Sequence, residues 1–242
     1  SISYDLGTHG GAIGNLDGVI KNITGDFNNN SAISSNANAL GGAIANMNLF
    51  DPSSRENFST TIENITGNFT SNFANSVGGA IANVNINLLG EEYGELYAST
   101  LPTIGCITGD FTNNSADFGG GAIYNATGNI NSIDGNFASN STKGYGGAIA
   151  NTNTYLGEDY KIHNPITNSA VGSTIGIITG NFTNNSAMFP VSGNNTDFFY
   201  IYDPHAGSGG AIYNENSIIY SINGSFENNS ASKHGGAIAN MN

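Results

Sequence analysis

The apolar positions along the chain fall into short runs that alternate with polar residues or glycine. Ile23, Gly25 and Phe27 stand at i, i+2 and i+4. The trio returns as Ile65, Gly67 and Phe69, Ile107, Gly109 and Phe111, Ile133, Gly135 and Phe137, Ile178, Gly180 and Phe182, and Ile222, Gly224 and Phe226. On an extended chain all three members of a trio face one side, whereas a helix would scatter them. Between the trios lies a Gly-Gly-Ala-Ile run, beginning at Gly10, Gly41, Gly78, Gly120, Gly146, Gly209 and Gly235. Two residues past each of its isoleucines stands an asparagine: Asn15, Asn46, Asn83, Asn125, Asn151, Asn214 and Asn240. Another follows three residues past each phenylalanine, at Asn30, Asn72, Asn114, Asn140, Asn185 and Asn229. Glycine at this density costs a helix roughly 1 kcal/mol per site relative to alanine. The pattern therefore predicts short strands joined by Gly, Asn and Ser turns.

The runs at Gly120 and Gly146 begin 26 residues apart, as do those at Gly209 and Gly235. A unit this short cannot bury its own apolar face and must stack on its copies. At one coil per unit, equivalent residues recur about every 4.8 Å. Ile44, Ile123 and Ile149 then share one interior column, and Phe69, Phe137 and Phe182 share another. Asn46 and Asn125 line one amide ladder, with Asn140 in a second. The predicted fold is all-β, a single right-handed parallel β-helix, since parallel crossovers almost always take that hand. The paired glycines serve tight corners or close backbone approach, and Gly135 is expected to be a small interior filler. One repeat domain is expected over residues 1–242, as a fragment or processed part of a longer repeat protein.

The longer units differ by insertions at defined places. After the Gly-Gly-Ala-Ile strand come Met47 to Thr61, Val84 to Thr103 and Thr152 to Thr174. After Phe-x-x-Asn come Ile33 to Leu40 and Met188 to Ser208. In stacked coils, insertions at equivalent points project from the same side. The last insertion crowds Phe189, Phe198, Phe199, Tyr200 and Tyr202 into one stretch. Aromatic side chains on loops of a rigid scaffold are common in recognition surfaces, so these five residues are the candidate partner-binding loop. Tyr93, Tyr97, Tyr155 and Tyr160 are lesser candidates.

Composition narrows the chemistry. Five basic residues stand against eighteen acidic ones, for a formal net charge of -13, which disfavours nucleic acid and anionic lipid as partners. Cys106, the single cysteine, lies between Ile104 and Ile107 and reads as a small strand residue. No apolar run approaches the ~18 residues of a membrane helix.

Gly-Gly-Ala-Ile alternating with Phe-x-x-Asn, along a chain rich in Gly and Asn, resembles the repeats of the polymorphic outer membrane protein family of autotransporter adhesins. The resemblance runs from Gly10 to Asn240. It implies a β-helical passenger, displayed outside the cell and used in adhesion, secreted through a C-terminal membrane barrel that this stretch does not include. The expected location is extracellular or cell-surface. The expected partner is a protein or glycan on a host or neighbouring cell, or copies of the chain itself in a filament of stacked coils.

Enzymes also use β-helices, and a glycosidase needs two facing carboxylates about 5 to 10 Å apart. No Asp or Glu pair recurs on a predicted strand face. Asp26 and Asp110, each preceding a repeat Phe, read as solvated strand residues. The acidic clusters Glu91, Glu92 and Glu95, and Glu158 with Asp159, lack calcium-loop spacing. His9, His163, His205 and His234 lack metal-ligand spacing, and His9 and His234, each before a Gly-Gly, read as turn residues. Neither a cofactor nor a catalytic residue is expected.

Overall fold

The computed structural model describes residues 8–35, 39–50, 59–87, 100–156, 162–163, 172–189 and 205–242. Each repeat makes one coil of a parallel β-helix with four strands, and like strands of successive coils pair in register into four parallel sheets. The first sheet takes its strands from the Gly-Gly-Ala-Ile runs: Ile13–Leu16, Ile44–Phe50, Ile81–Asn87, Ile123–Ala126, Ile149–Thr152, Ile212–Glu215 and Ile238–Met241. The second begins Val19–Thr24, Thr61–Thr66 and continues to Ile218–Asn223; the third carries the repeat phenylalanines and the fourth the Ser-Ala pairs. The insertion boundaries read from the repeat need one correction. Met47 to Phe50 and Val84 to Asn87 prolong their strands, pairing Asn48 with Asn85 and Leu49 with Ile86, before the insertions leave.

Side chains inside the coil form unbroken columns, because residues in register lie one strand spacing apart. The rings of Phe27, Phe69, Phe111, Phe137, Phe182 and Phe226 stack at 4.8 to 4.9 Å between centroids, within 6° of parallel. Isoleucine columns through Ile44, Ile123 and Ile149, and through Ile65, Ile107, Ile133 and Ile178, fill the remaining core. Burying one such side chain contributes about 1.5–3 kcal/mol.

Two buried amide ladders run the length of this core. In the first, each Asn Nδ2 donates to Oδ1 of the next coil from Asn15 through Asn46, Asn83, Asn125, Asn151 and Asn214 to Asn240, at 2.7 to 2.8 Å. The same amide group reaches a carbonyl beyond the turn, such as Gly128 O from Asn125, and so closes the corner between first and second sheets. The second ladder, Asn30, Asn72, Asn114, Asn140, Asn185 and Asn229, runs in the same direction at 2.9 to 3.0 Å. There Oδ1 also accepts the backbone N–H of the preceding rung, and Nδ2 donates to a phenylalanine carbonyl, as Asn140 does to Phe111 O. Buried amides without partners would each cost about 1–3 kcal/mol; here nearly every lone pair and proton of the interior rungs is used.

The glycines are explained by what lies on the adjacent coil. At Gly121 an added Cβ would lie 2.1 Å from Gly147 O, and at Gly135 1.9 Å from Gly109 O. Gly135 is buried, and its lack of a side chain also gives clearance for a carbonyl one coil below.

Candidate functional site

All five insertions leave the solenoid at one or the other end of a first-sheet strand. The corners between second and third and between third and fourth sheets carry none. The first sheet also has an unusual outer face. In a one-sided sheet the alternation would put polar residues outward, yet the outward positions Ala45, Met47, Ala82, Val84, Tyr124, Ala126 and Ala150 are buried in a second apolar cluster with Leu40 and Val77. Tyr124 and Tyr213, both on this face, are the largest fully buried side chains among the described residues.

Polar contacts on this face fasten the insertion roots. Asp17, with φ of 52°, accepts the Leu49 N–H at 2.8 Å and the Thr60 hydroxyl at 3.5 Å, so one carboxylate holds both ends of the insertion between them. The Tyr124 hydroxyl lies 2.9 Å from Thr154 Oγ1, itself 2.7 Å from Thr152 Oγ1, and Ser173 Oγ donates to Thr152 O at 2.6 Å. This group joins the two roots of the third insertion. At the last insertion, Tyr213 and Glu215 meet His205, and the Gly207 N–H donates to Gly144 O at 2.7 Å. The signal for these fastenings was present in the sequence as Tyr and Asp at outward positions, but only tertiary contact gives it meaning.

Of the candidate partner-binding loop, Phe189 is half-buried: its N–H donates to Ser232 Oγ, and Lys233 Nζ lies 5.9 Å over its ring. Phe198, Phe199, Tyr200 and Tyr202 lie outside the described residues, as do Tyr93, Tyr97, Tyr160 and the acidic clusters at 91–95 and 158–159; of Tyr155 only the backbone is described. Asp26 and Asp110 are exposed and belong to a third, outer ladder with Asn68, Asn136, Asn181 and Ser225. Oδ1 of Asp26 accepts the N–H and Nδ2 of Asn68, and Oδ1 of Asp110 accepts those of Asn136, at 2.8 to 3.1 Å. His9 bridges to Leu40 before its Gly-Gly, and Cys106 is free and exposed on its strand. Among the described residues no group of three His, Cys, Asp or Glu is placed to hold a metal ion.

Burial raises the Asp17 carboxyl above its ordinary value, opposed by its bonds from Leu49 and Thr60. A carboxyl raised on folding binds its proton more readily in the folded state. Its contribution therefore favours folding at low pH and is lost as pH rises through the folded value. Asp17→Asn keeps an acceptor for Leu49 without charge, and asparagine occupies the equivalent turn position at Asn216. We expect the variant to be at least as stable as the parent at neutral pH and to lose the parent's gain on acidification, measured by urea midpoints from pH 7 to pH 4.

Comparison with known proteins agrees with this architecture. Residues 109–126, 179–215 and 223–241 match the Chlamydia polymorphic membrane protein repeat. No curated protein and no solved structure matches the chain. The matched segments carry the same Phe-x-x-Asn and Gly-Gly-Ala-Ile rungs that stack throughout the solenoid, and over those segments the chain is similar to the polymorphic membrane protein repeat.

Proposed function

We propose that the chain is a non-enzymatic, extracellular surface protein of adhesive function. Its solenoid is a rigid support, and the insertions flanking the first sheet contact a protein or glycan on a neighbouring or host cell. The observation that carries this reading is the placement of all five insertions along the two edges of one sheet, while the other corners keep the bare repeat. Stacked coils hold such loops at fixed spacing, and loops on a rigid scaffold are where recognition residues concentrate. The aromatic stretch from Phe189 to Tyr202 is the proposed principal contact, because Phe and Tyr bring large contact area at low entropic cost. The outer ladder gives Asp26 and Asp110 a structural use, consistent with a scaffold.

Beads coated with the chain should attach to cultured cells. Replacing residues 190–204 by a Gly-Ser linker of equal length should remove most of that attachment while leaving the thermal transition in place. Equal attachment by the linker variant would sink the assignment of this loop; no attachment by the parent would sink the adhesive reading.

A further inference from the structure

The strands of the first sheet come in two lengths. In the second and third coils Ile44–Phe50 and Ile81–Asn87 run for seven residues, whereas Ile123–Ala126 of the fourth stops after four and the chain turns away at Thr127, with φ of 48°. The fifth coil sends the strand Tyr155–Leu156 into the space beyond that turn. There Leu156 pairs in parallel with Ile86 of the third coil, and the same short strand pairs on its other edge with Ile162–His163. All other parallel pairings among the described strands join consecutive coils, so residues 153–156 alone step past one. On the way Thr154 is fastened to the coil it crosses: its carbonyl accepts the Thr127 hydroxyl, and its own hydroxyl lies 2.9 Å from that of Tyr124.

A further buried amide row is interrupted at the same point. Asn48 Nδ2 donates to Asn85 Oδ1 at 3.3 Å, in the direction taken by the two continuous ladders. The fourth coil then offers Thr127 in place of an amide, and the fifth offers Asn153. Asn85 Nδ2 and Asn153 Oδ1 are both buried without a hydrogen-bond partner, a state that costs stability. One is a donor and the other an acceptor, in the order that the direction of the row requires. The third and fifth coils are also alike in sequence: both read Gly-Gly-Ala-Ile-Ala-Asn-x-Asn, at 78–85 and 146–153, and Thr-Ile-Gly-x-Ile-Thr-Gly, at 103–109 and 174–180. Laid directly on the third coil, the fifth would set Asn153 opposite Asn85 and Thr154 opposite Ile86. Leu156 stands there instead, and two extended residues, reaching up to about 7 Å, suffice to cross a strand spacing of roughly 4.8 Å.

We propose that the third and fifth coils are complementary stacking partners, that the fourth is interposed between them, and that residues 153–156 are a strap across it. In a solenoid each coil ordinarily touches only its neighbours, and stability is a sum of nearest-neighbour terms. The strap adds a contact between second neighbours, so the third, fourth and fifth coils open as one unit. It also keeps the roots of the second and third insertions, at Ile86 and Leu156, in fixed register. If the insertions make the adhesive contact proposed above, these two are presented as a pair. That consequence rests on the adhesive reading, but the strap does not.

A double-mutant cycle in urea, run without any partner, tests the fit of third to fifth coil. In a chain with Gly119 joined directly to Gly146, Asn85 Nδ2 meets Asn153 Oδ1. There Asn153→Ala should lower the folding equilibrium constant at least about fivefold and should be coupled to Asn85→Ala. In the full chain the same substitution removes an acceptor that has no donor, so it should change the constant less than about twofold and show no coupling. Uncoupled substitutions in the shortened chain, a shortened chain that does not fold, or equal coupling in the full chain would overturn the fit. Leu156→Pro tests the strap in the full chain. Proline is not accommodated in a strand paired on both edges, so amide exchange over residues 85–87 should quicken at least about fivefold while the Phe182 N–H stays protected. Unchanged exchange over 85–87, or quickening no greater there than at Phe182, would overturn the strap.

Discussion

Asn140→Ala should destabilise the chain by about 4 kcal/mol, far more than removal of an amide at the surface. The substitution leaves the Asn114 N–H without its acceptor and Phe111 O without the Nδ2 that donates to it, and takes one of two partners from Asn114 Nδ2, which keeps Phe69 O, and from Asn185 Oδ1, which keeps the main-chain N–H of residue 140, all at a fully buried site. A single buried orphan costs about 1–3 kcal/mol; the two orphans and the two weakened groups do not add independently, because neighbouring rungs polarise one another. Asn136→Ala is the internal comparison. It removes the same side chain from the exposed ladder, where water replaces the lost bonds, and should change stability by less than about 1 kcal/mol. Urea midpoints of the two variants check the contrast; equal losses would mean that the buried ladder is not what holds the coils. The isosteric Asn140→Asp should fare no better than alanine. Its carboxylate would face Phe111 O and the Asn185 Oδ1, two acceptors with no proton between them. Asp26 and Asp110 are tolerated in the outer ladder because only their acceptor capacity is used there.

Gly121→Ala should be more damaging still, with a loss above about 4 kcal/mol or failure to fold. The new methyl carbon would lie 2.1 Å from Gly147 O and 2.6 Å from Ser141 N, both main-chain atoms of the next coil. Main chain held by strand pairing cannot rotate away as a side chain can, so the two coils must separate. Gly14→Ala supplies the comparison, since its register partner is Ala45 and its added carbon would meet nothing closer than His9 O at 3.1 Å. That variant should stay within about 1 kcal/mol of the parent. Soluble yield and thermal midpoint distinguish the outcomes. A well-folded Gly121→Ala protein would show that neighbouring coils are not packed as closely as the glycine columns require.

The fold was legible because a solenoid writes its contacts at a constant sequence interval. Ile123 and Ile149, or Asn125 and Asn151, are neighbours in space for the same reason that they are equivalent in the repeat. No long-range pairing had to be guessed. The outer ladder was harder to see, because Asp26, Asn68, Asp110, Asn136, Asn181 and Ser225 share a position but not a residue type. They share acceptor oxygens, which the alignment of letters hides. The second apolar cluster was hidden for another reason: Ala45, Ala82 and Ala150 at outward positions look neutral until something covers them. The fastenings of Asp17, Tyr124 and His205 belong to single coils. The residue types at these positions vary from coil to coil, so periodicity gave them no weight, and only the folded contacts bring His205 against Tyr213 and Glu215.

Because every coil offers the same rungs upward and downward, the stack can change length without changing chemistry. Joining Gly119 directly to Gly146 would take out one bare 26-residue turn and set Asn83 against Asn151, each amide finding the same partner atom as before. The molecule would simply be shorter by one step of about 4.8 Å. Unequal crossing-over between such units would then be mechanically silent for the support while altering how far the projecting loops stand from whatever carries them. The solenoid is in this sense a graduated rod, and its reach is a quantity that evolution can adjust in whole numbers.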